Sequence, residues 1–448
     1  MVPFAKTGGL ADVAGALPLA LGRLGIEVLI MMPRYRGNIG HQKKLSENVS
    51  VHFIENEAFF NRASLYGNEK GDYPDNLERF SFFSHQAFLT AQAVGFKPDL
   101  VHAHDWQASL VPVLLKTKFS KDPFFQKTRS LLTIHNLAYQ GIFPHRLYAA
   151  LELGPAFFSV DGFEFYGRIN LLKAGILFAD SISTVSPTYA KEMQTKEFGF
   201  GLEDVVKKRS RNLSGILNGI DTEVWNPAKD RLIKKSYSAS TLNGKVVNKA
   251  ALQRSCGLEV DPDIPLFGMV TRLAEQKGLE AFAEIADEFL SKNVQFVLLG
   301  EGDSVYHTTF KNIGARHPKN TSIHLGFKAK EAHLIYAGCD FFLMPSLFEP
   351  CGLGQLISLR YGTVPIVRKT GGLADTIVDC EDDPKNGNGF SFSGRFSKAF
   401  YHAIERALKV YKNKKELRKL QMTGLAADFS WKHSAEQYKK LYREVNHS

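Results

Sequence analysis

The chain has 448 residues, 44% apolar and 23% charged, an ordinary globular composition and too long for one domain at roughly 150 residues each. Lys and Arg exceed Asp and Glu by ten (56 against 46), but the excess is dispersed apart from Lys207–Arg209 and Lys412–Lys419 and has no nucleic-acid reader motif beside it, so nucleic acid is excluded and a small anionic substrate remains. No apolar run reaches the roughly 18 residues of a spanning helix, which excludes such a helix.

Four scattered cysteines, Cys256, Cys339, Cys351 and Cys380, form no C-x-x-C pair and fit a reducing compartment without disulfides. Met1-Val2-Pro3-Phe4-Ala5-Lys6 has no basic start followed by an apolar block, so no secretory signal is expected.

In chain order, the first feature is Lys6-Thr7-Gly8-Gly9-Leu10-Ala11-Asp12, which opens an apolar helical stretch. A glycine pair lets the backbone turn tightly, and a helix start offers unpaired N–H groups to an anion. A plain strand-to-helix turn is the alternative. A strand should precede such a turn, and only five residues precede Lys6. The expectation is that a first strand is missing from this chain.

Short apolar, β-branched runs then alternate with helical stretches. They predict strands over Ile26–Met32, Asp99–Ala103, Ser130–Ile134 and Ser181–Val185. The second runs into His102-Ala103-His104-Asp105-Trp106. His102 and His104 share a strand face, but no third ligand follows at a familiar metal spacing. His135 ends the third strand, within Thr133-Ile134-His135-Asn136-Leu137-Ala138-Tyr139-Gln140-Gly141. It suits either a sugar hydroxyl or a structural role. Ser186-Pro187 after the fourth is a helix start, with Ser as cap and Pro at the first helical position.

Around Leu217-Asn218-Gly219-Ile220-Asp221 turn residues gather, and a polar, strand-poor stretch continues to Asp263. The domain boundary is expected there. Asp261-Pro262-Asp263 reads as a turn rather than a metal-binding D-x-D.

Strands are predicted again over Leu266–Thr271, Val294–Leu299, Ser322–Leu325, Asp340–Met344 and Thr363–Val367. Arg272 falls just past the first of these and Lys277 at the start of the next helix. Two cations beyond a strand's carboxyl end can neutralise a diphosphate, although either alone would suit a solvated surface. Glu349 follows Asp340–Met344 in Phe348-Glu349-Pro350-Cys351-Gly352-Leu353-Gly354. Its carboxylate can accept from sugar hydroxyls or cap a helix. After Thr363–Val367, Lys369-Thr370-Gly371-Gly372-Leu373-Ala374-Asp375 repeats residues 6–12 identically. This echo implies two similar α/β halves, each with a glycine turn at a helix start, and it favours phosphate binding over a plain turn. The class is α/β, with doubly wound parallel sheets.

Taken together and in this order, these motifs resemble the bacterial glycogen synthase and plant starch synthase family over nearly the whole chain. The resemblance implies two Rossmann-like domains of the GT-B architecture with an interdomain cleft. Residues 1–215 would be the N-terminal catalytic domain, 216–428 the nucleotide-sugar domain, and 429–448 a helix crossing back. It implies retaining glucosyl transfer from ADP-glucose to the non-reducing end of an α-1,4-glucan, with no cofactor or metal and with cytoplasmic location in a bacterium. A plastid is the alternative should the true start lie upstream. Arg272 and Lys277 would hold the diphosphate, Glu349 the glucose hydroxyls, and His135 the sugar near its departing bond. Gly371, Gly372 and Leu373 would offer backbone donors near the diphosphate. Lys6, Gly9 and Asp12 would close over the nucleotide. Phe327, after Gly326, would stack on the base. Asp105, Asn136, Asn218, Cys351, Gly352, Leu353 and Thr370 complete the implied substrate-binding set. Related transferases carry a second acid eight positions after the first; here position 357 is Ile, as is usual in this family. The alternative to an active synthase is a catalytically impaired glucan-binding remnant lacking its first strand. A nicotinamide dehydrogenase is disfavoured, because no G-x-G-x-x-G with an acid about 20 residues on is found.

Overall fold

The structure is a computed structural model that describes residues 1–5, 8–38, 40–68, 71–326, 328–394 and 397–447. The chain forms two compact units, Met1–Gly219 with Trp431–Ser448, and Ile220–Ser430.

The second unit is built on one six-stranded sheet. Its order across the sheet is Thr321–Leu325, Gln295–Gly302, Leu266–Leu273, Phe341–Met344, Val364–Arg368, Phe390–Phe392, and every neighbouring pair is parallel. The third strand in space is thus the first in sequence. The order runs outward one way from Leu266–Leu273 and then resumes beside it at Phe341–Met344. Such a sheet must bury both faces, which explains the unbroken apolar runs. Successive residues serve opposite sides: Phe267, Phe296 and Phe341 join one core, while Leu266, Val297 and Phe342 join the other. Helix Leu279–Leu290 covers the first face with Leu279, Phe282, Ile285, Ala286 and Phe289, a helical spacing. The Phe282 ring stacks on Phe296 at 4.3 Å between centroids.

All five strands expected here form. The first two run further than their apolar stretches, to Leu273 and Gly302. Arg272 therefore lies within its strand, opposite Glu301, rather than just past it. The reason is one-sided pairing: the neighbour Gln295–Gly302 continues the ladder, while Phe341–Met344 pairs only at Phe267 and Gly268. Lys277 ends a 3-10 turn, Glu275–Lys277, and the helix begins only at Leu279.

In the first unit, Leu213–Gly215, Ser181–Thr184, Arg129–Ile134 and Leu100–His104 make a four-stranded parallel sheet in that order. A second sheet holds Val28–Pro33, Val49–Ile54 and Gln42–Ser46. The four strands expected in this unit all form; Gln42–Ser46, Val49–Ile54, Leu213–Gly215 and several shorter strands are additional. Ser186 caps helix Pro187–Glu192 by accepting from the Tyr189 N–H. The glycine turn of the first heptapeptide leads into helix Gly9–Arg23, with Gly8 at φ 81°. Among the described residues, no strand precedes that helix. Val13, Leu17 and Leu21 from it pack with Trp431, Tyr438 and Leu441 of helix Trp431–His447. Among the described residues, no helix is long and apolar enough to cross a membrane.

Candidate functional site

In the second unit the strand order reverses between Leu266–Leu273 and Phe341–Met344. Open α/β sheets place ligands beyond the carboxyl ends of strands at such a point. Both loops that leave it carry predicted site residues. Lys277 Nζ lies 2.6 Å from Glu349 Oε2, and Ser346 Oγ donates to the same oxygen at 3.0 Å. Glu349 is buried and Lys277 nearly so. Gln276 ties the loops together: its backbone carbonyl accepts from Leu347 N–H at 2.8 Å, and its Nε2 donates to the Phe348 carbonyl at 3.1 Å. Arg272 is exposed, with Nη2 at 3.4 Å from Gln276 Oε1. Its guanidinium therefore keeps donors available to an anion. Gly278, at φ 61°, lets the loops touch; a Cβ there would meet the Pro345 carbonyl oxygen at 2.1 Å.

The second heptapeptide packs against the Glu349 loop. A Cβ on Gly371 would lie 2.1 Å from the Glu349 carbonyl oxygen, and one on Gly372 equally close to that of Cys351. Thr370 precedes helix Gly371–Thr376 and is buried. Gly371, Gly372 and Leu373 are the residues expected to offer backbone donors near the diphosphate. The Gly372 N–H bonds the Glu349 and Pro350 carbonyls, each at 3.1 Å, and the Leu373 N–H bonds Thr370. The glycines are needed because backbone meets backbone. Gln355, not anticipated, holds the intervening turn by donating to the Cys351 and Gly352 carbonyls at 2.9 and 3.0 Å. Gly352 has φ 73°, and Leu353 precedes helix Gly354–Arg360.

In the first unit, strands Leu100–His104 and Arg129–Ile134 are neighbours, so His104 and His135 emerge together. His104 Nδ1 and His135 Nε2 are 3.0 Å apart. The His102 ring lies 4.1 Å from His104, and its Nδ1 and Nε2 reach Tyr442 Oη at 2.8 Å and Thr133 Oγ1 at 2.5 Å. These contacts account for the paired histidines without a metal. Among the described residues, no cluster of His, Cys, Asp or Glu is suited to a metal ion. Burial lowers all three imidazoles, His104 to about 4 and the others well below their ordinary value, so they are neutral at pH 7.

Asp105 accepts from the His135 N–H at 2.7 Å. Burial raises its carboxyl to about 7 against the opposing pull of the backbone donors. Its φ of 55° is rare for a residue with a Cβ. Asn136 caps its own turn, Oδ1 accepting from Ala138 N–H at 3.1 Å. Asn218 is buried, and its Oδ1 meets no donor among the described residues. Gly9 is exposed at the start of its helix, and Asp12 in the first turn is half-buried. Lys6 and Phe327 lie outside the described residues. His104 was within reach of sequence reasoning through the His-Ala-His-Asp-Trp run. Nothing in the sequence links Tyr442 to His102, which is 340 positions away.

Comparison with known proteins adds to this geometry. A family model described as the starch synthase catalytic domain matches residues 1–208, and one for glycosyl transferases group 1 matches residues 257–421. A glycogen synthase of Syntrophotalea carbinolica is 46% identical over 469 residues, covering 99% of this chain and 97% of that one. A glycogen synthase 2 of Geobacter metallireducens is 47% identical, covering 99% and 96%. The catalytic domain of starch synthase IV from Arabidopsis thaliana, bound to ADP and acarbose, superposes with a TM-score of 0.91. It is 35% identical, and the match covers 100% of this chain and 98% of that one. A sucrose-phosphate synthase from Thermosynechococcus elongatus, 18% identical with a TM-score of 0.66 over 98% and 94%, shares the fold.

Proposed function

The chain belongs to the glycogen and starch synthase family of glycosyltransferases, and from that premise we propose that it transfers glucose from ADP-glucose to the non-reducing end of an α-1,4-glucan. Configuration at C1 is retained. The bond from C1 to the ADP oxygen breaks as a bond from C1 to the acceptor's 4-oxygen forms, and the acceptor's proton leaves on the departing phosphate. Arg272 and Lys277 hold the diphosphate and stabilise the negative charge that grows on it. Glu349 accepts from the glucose hydroxyls. His135, neutral at pH 7, hydrogen-bonds the sugar, and Asp105 and Asn136 shape the loop that presents it. Lys6, Gly9, Asp12, Asn218, Phe327, Cys351, Gly352, Leu353, Thr370, Gly371 and Gly372 complete the substrate contacts, the two glycines through close backbone approach.

One observation carries this reading. The Lys277–Glu349 pair joins the two loops that leave the switch point of a parallel sheet, with Arg272 beside them. A cation and an acid held there suit a substrate that is itself half diphosphate and half sugar. The test compares initial rates of labelled glucose incorporation into glycogen from ADP-glucose and from UDP-glucose. Faster incorporation from ADP-glucose is expected. Glucan binding without transfer from either donor would return the impaired-remnant alternative.

A further inference from the structure

The chain passes between the units twice, between Gly219 and Ile220 and between Ser430 and Trp431. Within the second unit the two connecting segments lie side by side. The Ile220 N–H donates to the Phe429 carbonyl at 2.8 Å, and Ile220 pairs in parallel with Ser430. A cavity of about 140 Å³ opens beside this pairing. Ile220 and Thr222 form one wall, and residues 425–429, at and beyond the end of helix Lys414–Ala426, form another. The third is Leu356 and Arg360, one turn apart on helix Gly354–Arg360. The two helices press together, since a Cβ on Gly424 would lie 2.8 Å from Leu359 Cδ2. Every lining residue belongs to the second unit.

Arg360 is half-buried in this lining. Its Nε is closed off from solvent and meets no acceptor among the described residues, and its guanidinium forms no ion pair among them. Other buried guanidinium groups of the chain are satisfied. Arg79 donates to Asn76 Oδ1 and to the Phe59 and Leu65 carbonyls. Arg209 donates to the Ile176, Leu177 and Ala179 carbonyls. A buried donor left without an acceptor is costly, and in a native fold it calls for an explanation. A place in the last turn of a helix suits a positive charge. It accounts neither for the orphaned Nε nor for the open space beside it.

We propose that this cavity binds inorganic phosphate, with Arg360 as its cation. A volume with room for several waters suffices for one phosphate. It falls short of the roughly 300 Å³ at which pockets begin to take larger organic ligands, so the site is distinct from one for a nucleotide sugar. The fork of an arginine matches the oxygens of phosphate, and the Thr222 hydroxyl can donate a further bond. Asp428, also in the lining, decides between oxyanions. Its Oδ1 accepts from the Ser430 N–H at 2.9 Å, and a carboxylate has acceptor sites beyond that one. Towards this acid a sulfate or a carboxylate ligand brings repulsion alone. Phosphate at pH 7 keeps a P–OH that donates to it. Cation, hydroxyl and acid together suit an oxyanion that both accepts and donates. Bound there, phosphate ties the two connecting segments to the end of the helix that begins beyond the Glu349 loop.

The test is titration calorimetry and thermal unfolding of the full chain with inorganic phosphate or with sulfate, at constant ionic strength. Saturating ADP keeps either anion out of the candidate diphosphate site. Phosphate should bind the parent and raise its unfolding temperature, and sulfate should bind roughly tenfold more weakly or worse. Arg360→Met keeps an apolar stem and removes the donors. It should weaken phosphate binding by roughly 10–100-fold without lowering the unfolding temperature in the absence of either anion. Asp428→Asn should narrow the preference for phosphate, because an amide donates to sulfate as well. Thr222→Val provides a further variant with a smaller loss. Unchanged phosphate affinity in Arg360→Met would overturn the inference. So would equal affinity of the parent for phosphate and sulfate, or no phosphate binding with ADP present. None of these readouts uses transfer, so a failure of the proposed activity is seen separately, as absence of incorporation by the parent.

Discussion

Lys277 Nζ and Glu349 Oε2 sit 2.6 Å apart although the residues are 72 positions apart in the chain. The topology makes this pair: one residue follows the first strand of the sheet, the other follows the fourth, and those strands are neighbours. Removing one partner leaves the other charge buried and uncompensated, which typically costs about 3–5 kcal/mol. The pair predicts that Lys277→Ala and Glu349→Ala each lose turnover and each also lower the unfolding temperature. Lys277→Met combined with Glu349→Gln should recover most of that stability and none of the activity. Parallel thermal unfolding and initial-rate measurements on the three variants check this. A double variant no more stable than the singles would contradict it.

Arg272 predicts the opposite pattern. Its side chain is exposed and, among the described residues, makes one long hydrogen bond, to Gln276. Arg272→Ala should therefore leave stability within about 0.5 kcal/mol. It should raise the KM for the nucleotide sugar and lower turnover by about 100-fold, the scale seen when one preorganised donor to a developing charge is lost. Denaturant unfolding and kinetics on the same preparation separate the two effects.

Gly372→Ala places a Cβ 2.1 Å from the Cys351 carbonyl oxygen. That neighbour is backbone, and it belongs to the turn gripped by Gln355. Relief requires the Glu349 loop to shift, so a loss of roughly 1–3 kcal/mol is expected, with a fall in activity. Gly9→Ala, in the matching position of the first heptapeptide, has open space for its Cβ and should change stability little.

The buried acid and histidines of the first unit set a pH dependence. Asp105 ionises in the folded chain near pH 7, against about 4 when unfolded. Across that window the folded state holds the extra proton, so this group's contribution to stability falls as pH rises. Asp105→Asn keeps an oxygen for the His135 N–H and tolerates the positive φ. It should be more stable than the parent at pH 8, with the difference shrinking towards pH 5. His104 has the opposite sign. Its folded value of about 4 lies below the unfolded value, so its contribution falls as pH drops from about 6.5 towards 4, by up to roughly 1.4 kcal/mol per pH unit. His104→Gln should flatten that acid limb. Unfolding temperatures from pH 5 to pH 8 check both.

Much of the fold is legible in the sequence because parallel strands buried on both faces leave unbroken apolar runs; Asp340–Met344 and Thr363–Val367 are found within a residue or so at each end. Gln42–Ser46 is not legible. It is an edge strand, mostly exposed and with two adjacent lysines, so one face packs little and the other carries charge. Phe390–Phe392 is too short to show a period. In the site, Arg272, Lys277 and Glu349 stand out singly, by type and by place at strand ends. Their joining depends on strand order, which no local pattern encodes. The identical heptapeptides teach the same lesson: Gly372 presses on backbone, while Gly9 is exposed at the corresponding place. Local sequence sets the turn, and tertiary surroundings decide what the turn does.

The central claim is that fixed cationic side chains draw off the diphosphate. The direct measurement is the initial rate of glucose transfer from ADP-glucose to glycogen, with and without EDTA, for the parent chain and for Lys277→Met. The account predicts a parent rate unchanged by EDTA and a variant rate lower by about 100-fold or more under both conditions. A parent rate that collapses in EDTA and returns with Mg²⁺, or a variant that keeps near-normal turnover, would contradict it.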